Sequence, residues 1–304
     1  MTGGRWRGLE LRGSTAWGVL LVLAVLAAGW WAPDGLTLLG FLGIVILGHE
    51  VGHLLVARRA GMAPTELYWG FGPEVIGFER NGCRYGIRAL FVGGYVRLEG
   101  MTPSASLPEG FAEAGTYRAA SHRGRLATIL AGPAVNLVMA AMAFTVAGLL
   151  EGASLGGALL AGAADTGHVV TGTADALWTW VSNLGGYLAS VLDRTGSTPA
   201  PVRFMSPVTQ AEVSGWALES GPATTLRWFG ILSCAVGAVN LLPLPPLDGA
   251  HALAASVEAA IQRVRPGRSV RLDVNRLLPL AYFTVAALVF LSVSALVLDL
   301  REVT

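Results

Sequence analysis

Residues 40–59 read GFLGIVILGHEVGHLLVARR, two histidines and a glutamate inside an apolar run long enough to cross a bilayer. Ionisable groups in such a run cost on the order of a few kcal/mol each unless they are paired or functional. A helix places His49 and His53, four residues apart, on one face, where both imidazoles can bind a single ion, with Glu50 beside them. Any fold for this chain has to bring partners to these residues at membrane depth.

The composition fits that constraint. Of 304 residues, 53% are hydrophobic and 13% charged, against roughly 25% charged in an average soluble domain. The net charge of +1 argues against a nucleic-acid partner, which needs a basic face or stripe. All 21 basic residues are arginine, a codon bias that hints at a bacterial source. Cys83 and Cys234 form no C-x-x-C motif, which argues against a disulfide framework or a cysteine metal site. The run Ala16–Ala32 follows Arg5, Arg7 and Arg12 as a secretory signal does, but it is long, lacks a small-x-small site at its end and carries Trp30-Trp31. It therefore reads as a retained span with an interfacial anchor.

A spanning helix needs about 20 mostly apolar residues. Five windows qualify: Ser14–Trp31, Leu36–Ala57, Arg125–Leu150, Thr225–Leu247 and Leu277–Leu298. Arginines collect in the N-terminal tail, between Arg58 and Arg125, and between Asp248 and Leu277, so these segments are assigned to the cytoplasm. The connection 151–224 has only Arg194 and Arg203 and belongs outside, as does the C-terminus. The expectation is an all-α polytopic protein of the inner (plasma) membrane of a bacterium, with about five transmembrane helices, a cytoplasmic N-terminus and the lipid bilayer as its surroundings. Asn81-Gly82 and the β-branched and aromatic residues on either side of Gly93-Gly94 predict a small cytoplasmic, membrane-associated β-hairpin through Leu98. Outside, Ala174–Leu192 predicts an interfacial helix, with Trp178, Trp180 and Tyr187 at headgroup level.

Two imidazoles leave a metal short of a third protein ligand, and Asp248 in AVNLLPLPPLDGAHAL is the best candidate. By the arginine count it lies near the cytoplasmic end of its span, as His49 and His53 do. Pro243, Pro245 and Pro246 break the helix just before it, and such irregular backbone at membrane depth is tolerated where it lines a cavity. Asn240, one turn before Pro243, can offer its amide to a peptide backbone or to a neighbouring helix. His251 reads as a packing or hydrogen-bonding residue, and His122 and His168 as solvated. With three protein ligands a metal keeps a position for water, and Glu50 can take that water's proton. Two imidazoles and a carboxylate suit zinc and several other metals.

These blocks together resemble the site-2 proteases, in their bacterial branch. HEVGH is similar to the family's first zinc motif and NLLPLPPLDG to its second. GFGPEV (70–75) and GGYVRLEGM (93–101) resemble the cytoplasmic segment between them, and LAGPAVN (130–136) the start of the next core helix. The resemblance implies one Zn2+ held by His49, His53 and Asp248, with Glu50 as general base. It also implies a transmembrane protein or peptide substrate that unwinds before it is cut. Gly93, Gly94 and Tyr95 would pair with that substrate by strand addition, and Asn136, Asn240, Pro243 and Pro245 would stand at substrate-contacting or core-helix positions. Anti-sigma factors and signal-peptide remnants are the substrate classes it suggests, cut in regulated intramembrane proteolysis.

Two departures stand out. The connection 151–224 has no room for the PDZ domain of well-known bacterial members, and MSPVTQAEV (205–213) resembles the segment that follows that domain. A helix within residues 1–33 is additional. The chain thus divides into 1–33, a first core half 34–150, the connection 151–224, and a second core half 225–304. A membrane-anchored peptidase for soluble peptides, or a non-hydrolytic metal-binding protein or transporter, are the alternatives. Glu50 speaks against transport, which needs no carboxylate beside the metal's open position.

Overall fold

The computed structural model describes Leu23 and residues 32–102, 106–193, 198–265 and 270–303. The window Ser14–Trp31 lies, apart from Leu23, outside the described residues. Among those described, three helices are long and apolar enough to cross a membrane: Pro33–Arg59 (α1), His122–Leu150 (α2) and the stretch Leu278–Arg301 of the C-terminal helix. The expected fourth window is shifted, because its helix runs Pro222–Asn240 and Leu241–Leu247 is not helical. The prolines that were expected to break the helix just before Asp248 stand beyond its end.

Local signals set the ends of α1 and α2. Pro33 and Asp34 open α1, and Arg58 and Arg59 occupy its last turn, complementing the helix dipole at both ends. Gly61 then takes a positive φ of 82°, and the Met62 amide donates to the Ala57 carbonyl at 3.0 Å, the geometry of a glycine-terminated helix. The Ser121 side chain caps α2 by accepting from the Gly124 amide.

Between α1 and α2 the chain forms two fifteen-residue strands, β1 (Glu66–Arg80) and β2 (Cys83–Arg97). Asn81 and Gly82 join them with φ of 52° and 72°, the left-handed pair that a tight hairpin turn requires. Glu66 lies opposite both Arg84 and Arg97, and Leu67 opposite both Tyr85 and Val96. The opening of β1 therefore runs between the two ends of β2, while Ile76–Arg80 pairs with Cys83–Ile87. The hairpin is larger than expected, and Gly93-Gly94 is a stretch of strand beside α1. A Cβ on Gly94 would come within 3.0 Å of both Glu50 Cγ and Ile46 Cγ2, and one on Gly43 within 2.5 Å of the Trp69 ring. The sheet is thus pressed along α1, in a fold that is otherwise helical among the described residues, as the expected helical protein with one hairpin requires.

After α2 the chain reverses at Glu151–Ser154 into α3 (Leu155–Ser182), followed by α4 (Leu184–Leu192), α5 (Pro207–Glu219), α6 (Pro222–Asn240), α7 (Asp248–Val264) and α8 (Leu278–Val303). The helix expected at Ala174 begins nineteen residues earlier, at Leu155, and α3 turns back along α2 on small residues. Ala158 meets Gly148, and a Cβ on Gly162 would lie 2.8 Å from the Ala141 carbonyl. The described residues of 151–224 include helices and no strand. Central α2 packs against α1, α3, α6 and α7, so it touches every element that carries a candidate ligand.

The α1–α2 contact depends on Gly52, where a Cβ would meet the Ala131 carbonyl at 2.8 Å, whereas nothing lies within 4 Å of a Cβ on Gly40. Gly52→Ala is expected to destabilise the metal-free protein by about 1–3 kcal/mol through overpacking, read as a lower thermal midpoint in detergent. Gly40→Ala should leave the midpoint unchanged or raise it.

Candidate metal centre

The i, i+4 spacing on α1 brings His49 and His53 together as expected, their rings edge to face with centroids 4.7 Å apart. Asp248, the first residue of α7, arrives from 199 positions away: its Oδ2 lies 2.9 Å from His49 Nε2 and 3.3 Å from His53 Nε2. The two Nε2 atoms are 3.1 Å apart, and the three donors lie within 4.8 Å of one another. Both histidines are buried.

This donor set fits a divalent metal. The His53 Nδ1–H donates to the Thr128 carbonyl at 2.7 Å, which leaves the Nε2 lone pair facing His49. With the His49 proton on Nδ1, two imidazole lone pairs face one another at 3.1 Å with nothing to share, and a cation supplies the missing partner. Ligands about 2.0–2.1 Å from a tetrahedral zinc ion stand roughly 3.3 Å apart, close to the separations seen here. His49, His53 and Asp248 could hold such an ion and leave a position for water.

The supporting contacts come from α2. The Asn136 amide lies 3.1 Å from His49 Nδ1, and its Oδ1 is buried without a hydrogen-bond partner among the described residues. Turning the amide by 180° sets Oδ1 against the Nδ1–H and leaves His49 Nε2 free for a metal, the arrangement in which an outer partner fixes the tautomer of a ligating histidine. Asn136 is wholly buried behind His49 and is absent from the described lining of the cleft, which is not where a substrate-contacting residue was expected. Gly132, which sequence reasoning passed over within LAGPAVN, lies under both imidazoles. A Cβ there would sit 2.6 Å from His49 Nε2 and would also strike His53 Nε2. A glycine beside a helix-internal proline was the available signal.

In front of the three donors opens a cleft of about 630 Å³ lined by Ile46, Glu50, Phe71, Gly93, Gly94, Tyr95, Val96 and Asn240, among others. The Asn240 amide donates to the Val236 carbonyl of its own helix at 3.0 Å. Of the proline segment, Pro246 and Leu247 reach the cleft, whereas Pro243 borders a separate cavity beside α7 and Pro245 lines neither. Tyr95 stacks between Tyr68 and Phe71 and donates to Glu66 Oε2 at 2.6 Å; burial and that carboxylate push its phenol up to about 12. On the same sheet, the Arg84 guanidinium beside Glu74 holds that carboxyl below the usual carboxylate range.

Thr65 accepts the pairing of Arg97, its amide donating to the Arg97 carbonyl at 3.0 Å. By two-residue alternation Arg97 and Tyr95 turn their backbone towards β1, leaving the groups of Gly94 and Val96 on the side facing α1. Val96 and Glu50 line the same cleft there. His251 borders a small chamber with Tyr117, Arg125 and Glu258. His122 is not simply solvated: it accepts from Arg125 at its Nδ1 and donates from Nε2 to Gln262 Oε1. If Asn136 orients His49, Asn136→Ala should weaken zinc binding by about 10–100-fold with helicity unchanged, as measured by competition with a chelator and circular dichroism.

The chain matches the sequence model of Peptidase family M50 over residues 37–283. Among its relatives, a Clostridium acetobutylicum protein provisionally named a zinc metalloprotease is 35% identical over 113 residues, 37% of this chain and 32% of the relative. Zinc metalloprotease Rip1 of Mycobacterium tuberculosis is 37% identical over 91 residues, 30% of this chain and 22% of that protein. A similarly named Mesorhizobium japonicum protein is 27% identical over an alignment that takes in 73% of this chain and 88% of the relative. The matched regions therefore span about a third or less of the first two relatives, while the family match runs through both ligand-bearing segments. The chain belongs to peptidase family M50.

Proposed function

We propose that this chain is a zinc-dependent intramembrane endopeptidase of the site-2 protease type, cutting single-pass membrane proteins within or near their spans. The observation that carries the reading is the meeting of His49, His53 and Asp248 at the floor of a cleft that Glu50 also lines. A zinc ion bound there would lower the pKa of its water and polarise the scissile carbonyl. Glu50 would take the water's proton on its carboxylate and deliver it to the leaving amide nitrogen. β2, which passes beside Glu50 at Gly94 and Val96, would limit the movement of that carboxylate during both transfers.

An extended substrate would add as a strand to the open side of β2, using the free backbone groups of Gly94 and the Val96 carbonyl. Only a locally unwound span can offer its backbone in this way, since helical amides are already paired. Gly93 suits the position, because a Cβ there would come within 2.5 Å of the Phe71 ring. Asn240 and Pro246 would flank the substrate from the opposite wall.

We place the chain in a bacterial plasma membrane with the sheet and the Arg-rich end of α1 towards the cytoplasm, α6 as a further span, and release of a cytoplasmic fragment in regulated intramembrane proteolysis. Three long apolar helices and the arginine distribution support that arrangement. Anti-sigma factors and signal-peptide remnants are the substrate classes in view.

Two variants test this reading on a purified model single-pass substrate. Glu50→Gln should lose cleavage by at least about 10²-fold, within the range for removing a general base, and retain zinc. Cleavage that survives Glu50→Gln would move the chemistry elsewhere; zinc binding without any cleavage by the wild type would favour a metal-binding or transport protein. Gly94→Val should reduce cleavage by at least about tenfold, because a side chain there presses on Glu50 and Ile46 and forces β2 away from its place beside α1, while leaving zinc content unchanged. Unimpaired cleavage by that variant would rule out pairing at this edge.

A further inference from the structure

Asp248 reaches the metal centre as the first residue of α7, a helix whose far end also meets α2 through the His122–Gln262 contact. The non-helical Leu241–Leu247 segment joins α7 to α6, and the main packing of α7 is against α2. Ten residues beyond Asp248, about 15 Å along the helix, Glu258 is 3% exposed. Its Oε2 is 2.6 Å from the Arg125 guanidinium, itself 2% exposed, and 3.3 Å from that of Arg271. Its Oε1 accepts from the Leu272 amide at 2.7 Å. Arg271 also donates to the Arg118 carbonyl, and Arg125 to His122 Nδ1. One buried carboxylate thus ties α7 to the start of α2 and to the segment leading into α8.

Arg125 stands one turn before Thr128, whose carbonyl takes the His53 proton. The same turn of α2 therefore orients one ligand and grips the helix that delivers another. A buried ion pair is often no more stabilising than apolar residues of the same volume. What it adds is a defined geometry, and a ligand set has to be held to within about 0.5 Å.

Resting on the zinc-site reading above, we propose that Glu258, through Arg125, is a positioning residue for Asp248: it sets the tilt and rotation of α7 and so keeps the Asp248 carboxylate on the two histidine nitrogens. Loss of its charge frees α7 to swing about the Leu241–Leu247 segment, and Asp248 leaves the site before the fold is lost.

The test is zinc competition titration and the visible absorption of the cobalt-substituted protein, on full-length wild type, Glu258→Gln, Glu258→Asp and Arg227→Gln. Arg227 pairs with Glu151 at the end of α6 remote from Asp248. Glu258→Gln should bind zinc at least about tenfold more weakly, as outer-sphere changes do, with an altered cobalt spectrum and unchanged helicity. Glu258→Asp should recover part of the loss, and Arg227→Gln should match wild type. If Glu258→Gln fails to accumulate folded, Arg271→Gln, which removes only the partly exposed arm of the cluster, is read by the same criteria. Wild-type zinc affinity and spectrum in the charge-neutral variant would overturn the proposal, whereas a wild type that binds no zinc would overturn the underlying reading of the site.

Discussion

Polar groups at the depth of an apolar helix have to be satisfied by other parts of the protein, and most of this architecture follows from satisfying His49, Glu50 and His53. Each ionisable group at the centre of a span costs about 2.5–3.5 kcal/mol if it stands alone. Here the histidines do not. The Thr128 carbonyl and the Asn136 amide take the outer nitrogens of the two histidines, Asp248 meets the inner ones, and Gly94 of β2 lies against Glu50. Those partners come from α2, from α7 and from β2, so the three elements are drawn around one turn of α1.

Close approach makes this convergence possible. Gly52 lets α1 lie on α2, Gly132 leaves space beneath both imidazoles, Gly94 lets a strand pass beside Glu50, and Gly237 sits over Asn136 and Pro133. With no hydrophobic drive between helices in lipid, small residues at the contacts are what permit tight packing. Gly132 and Gly237 border the histidines or the Asn136 behind them and Gly94 borders Glu50, so helix packing and the chemistry of the site share the same positions.

Much of the site was legible in the sequence for physical reasons. The four-residue spacing of the histidines fixes their common face, and the arginine distribution alone puts Asp248 at a similar depth. What could not be read was direction. Nothing in LAGPAVN says which way α2 is rotated, so the sequence left Asn136 between a substrate-contacting and a core-helix position, and it lies behind His49. The first half of the sheet was hidden by Gly70, Gly72 and Pro73, which interrupt the alternation that marks a strand. The reach of α3 was hidden as well, because Asp165, His168 and Asp175 interrupt its apolar run. The Arg125–Glu258 pair joins residues 133 positions apart and leaves no local trace.

X-ray absorption at the zinc edge, on protein purified from membranes, tests the metal centre most directly. The account predicts one zinc per chain, with two imidazole nitrogens about 2.0–2.1 Å from the metal, oxygen completing the shell and no sulfur. In Asp248→Asn the imidazole signal should persist while the oxygen contribution changes. Absence of zinc, or a shell without imidazole, would contradict the assignment of His49, His53 and Asp248.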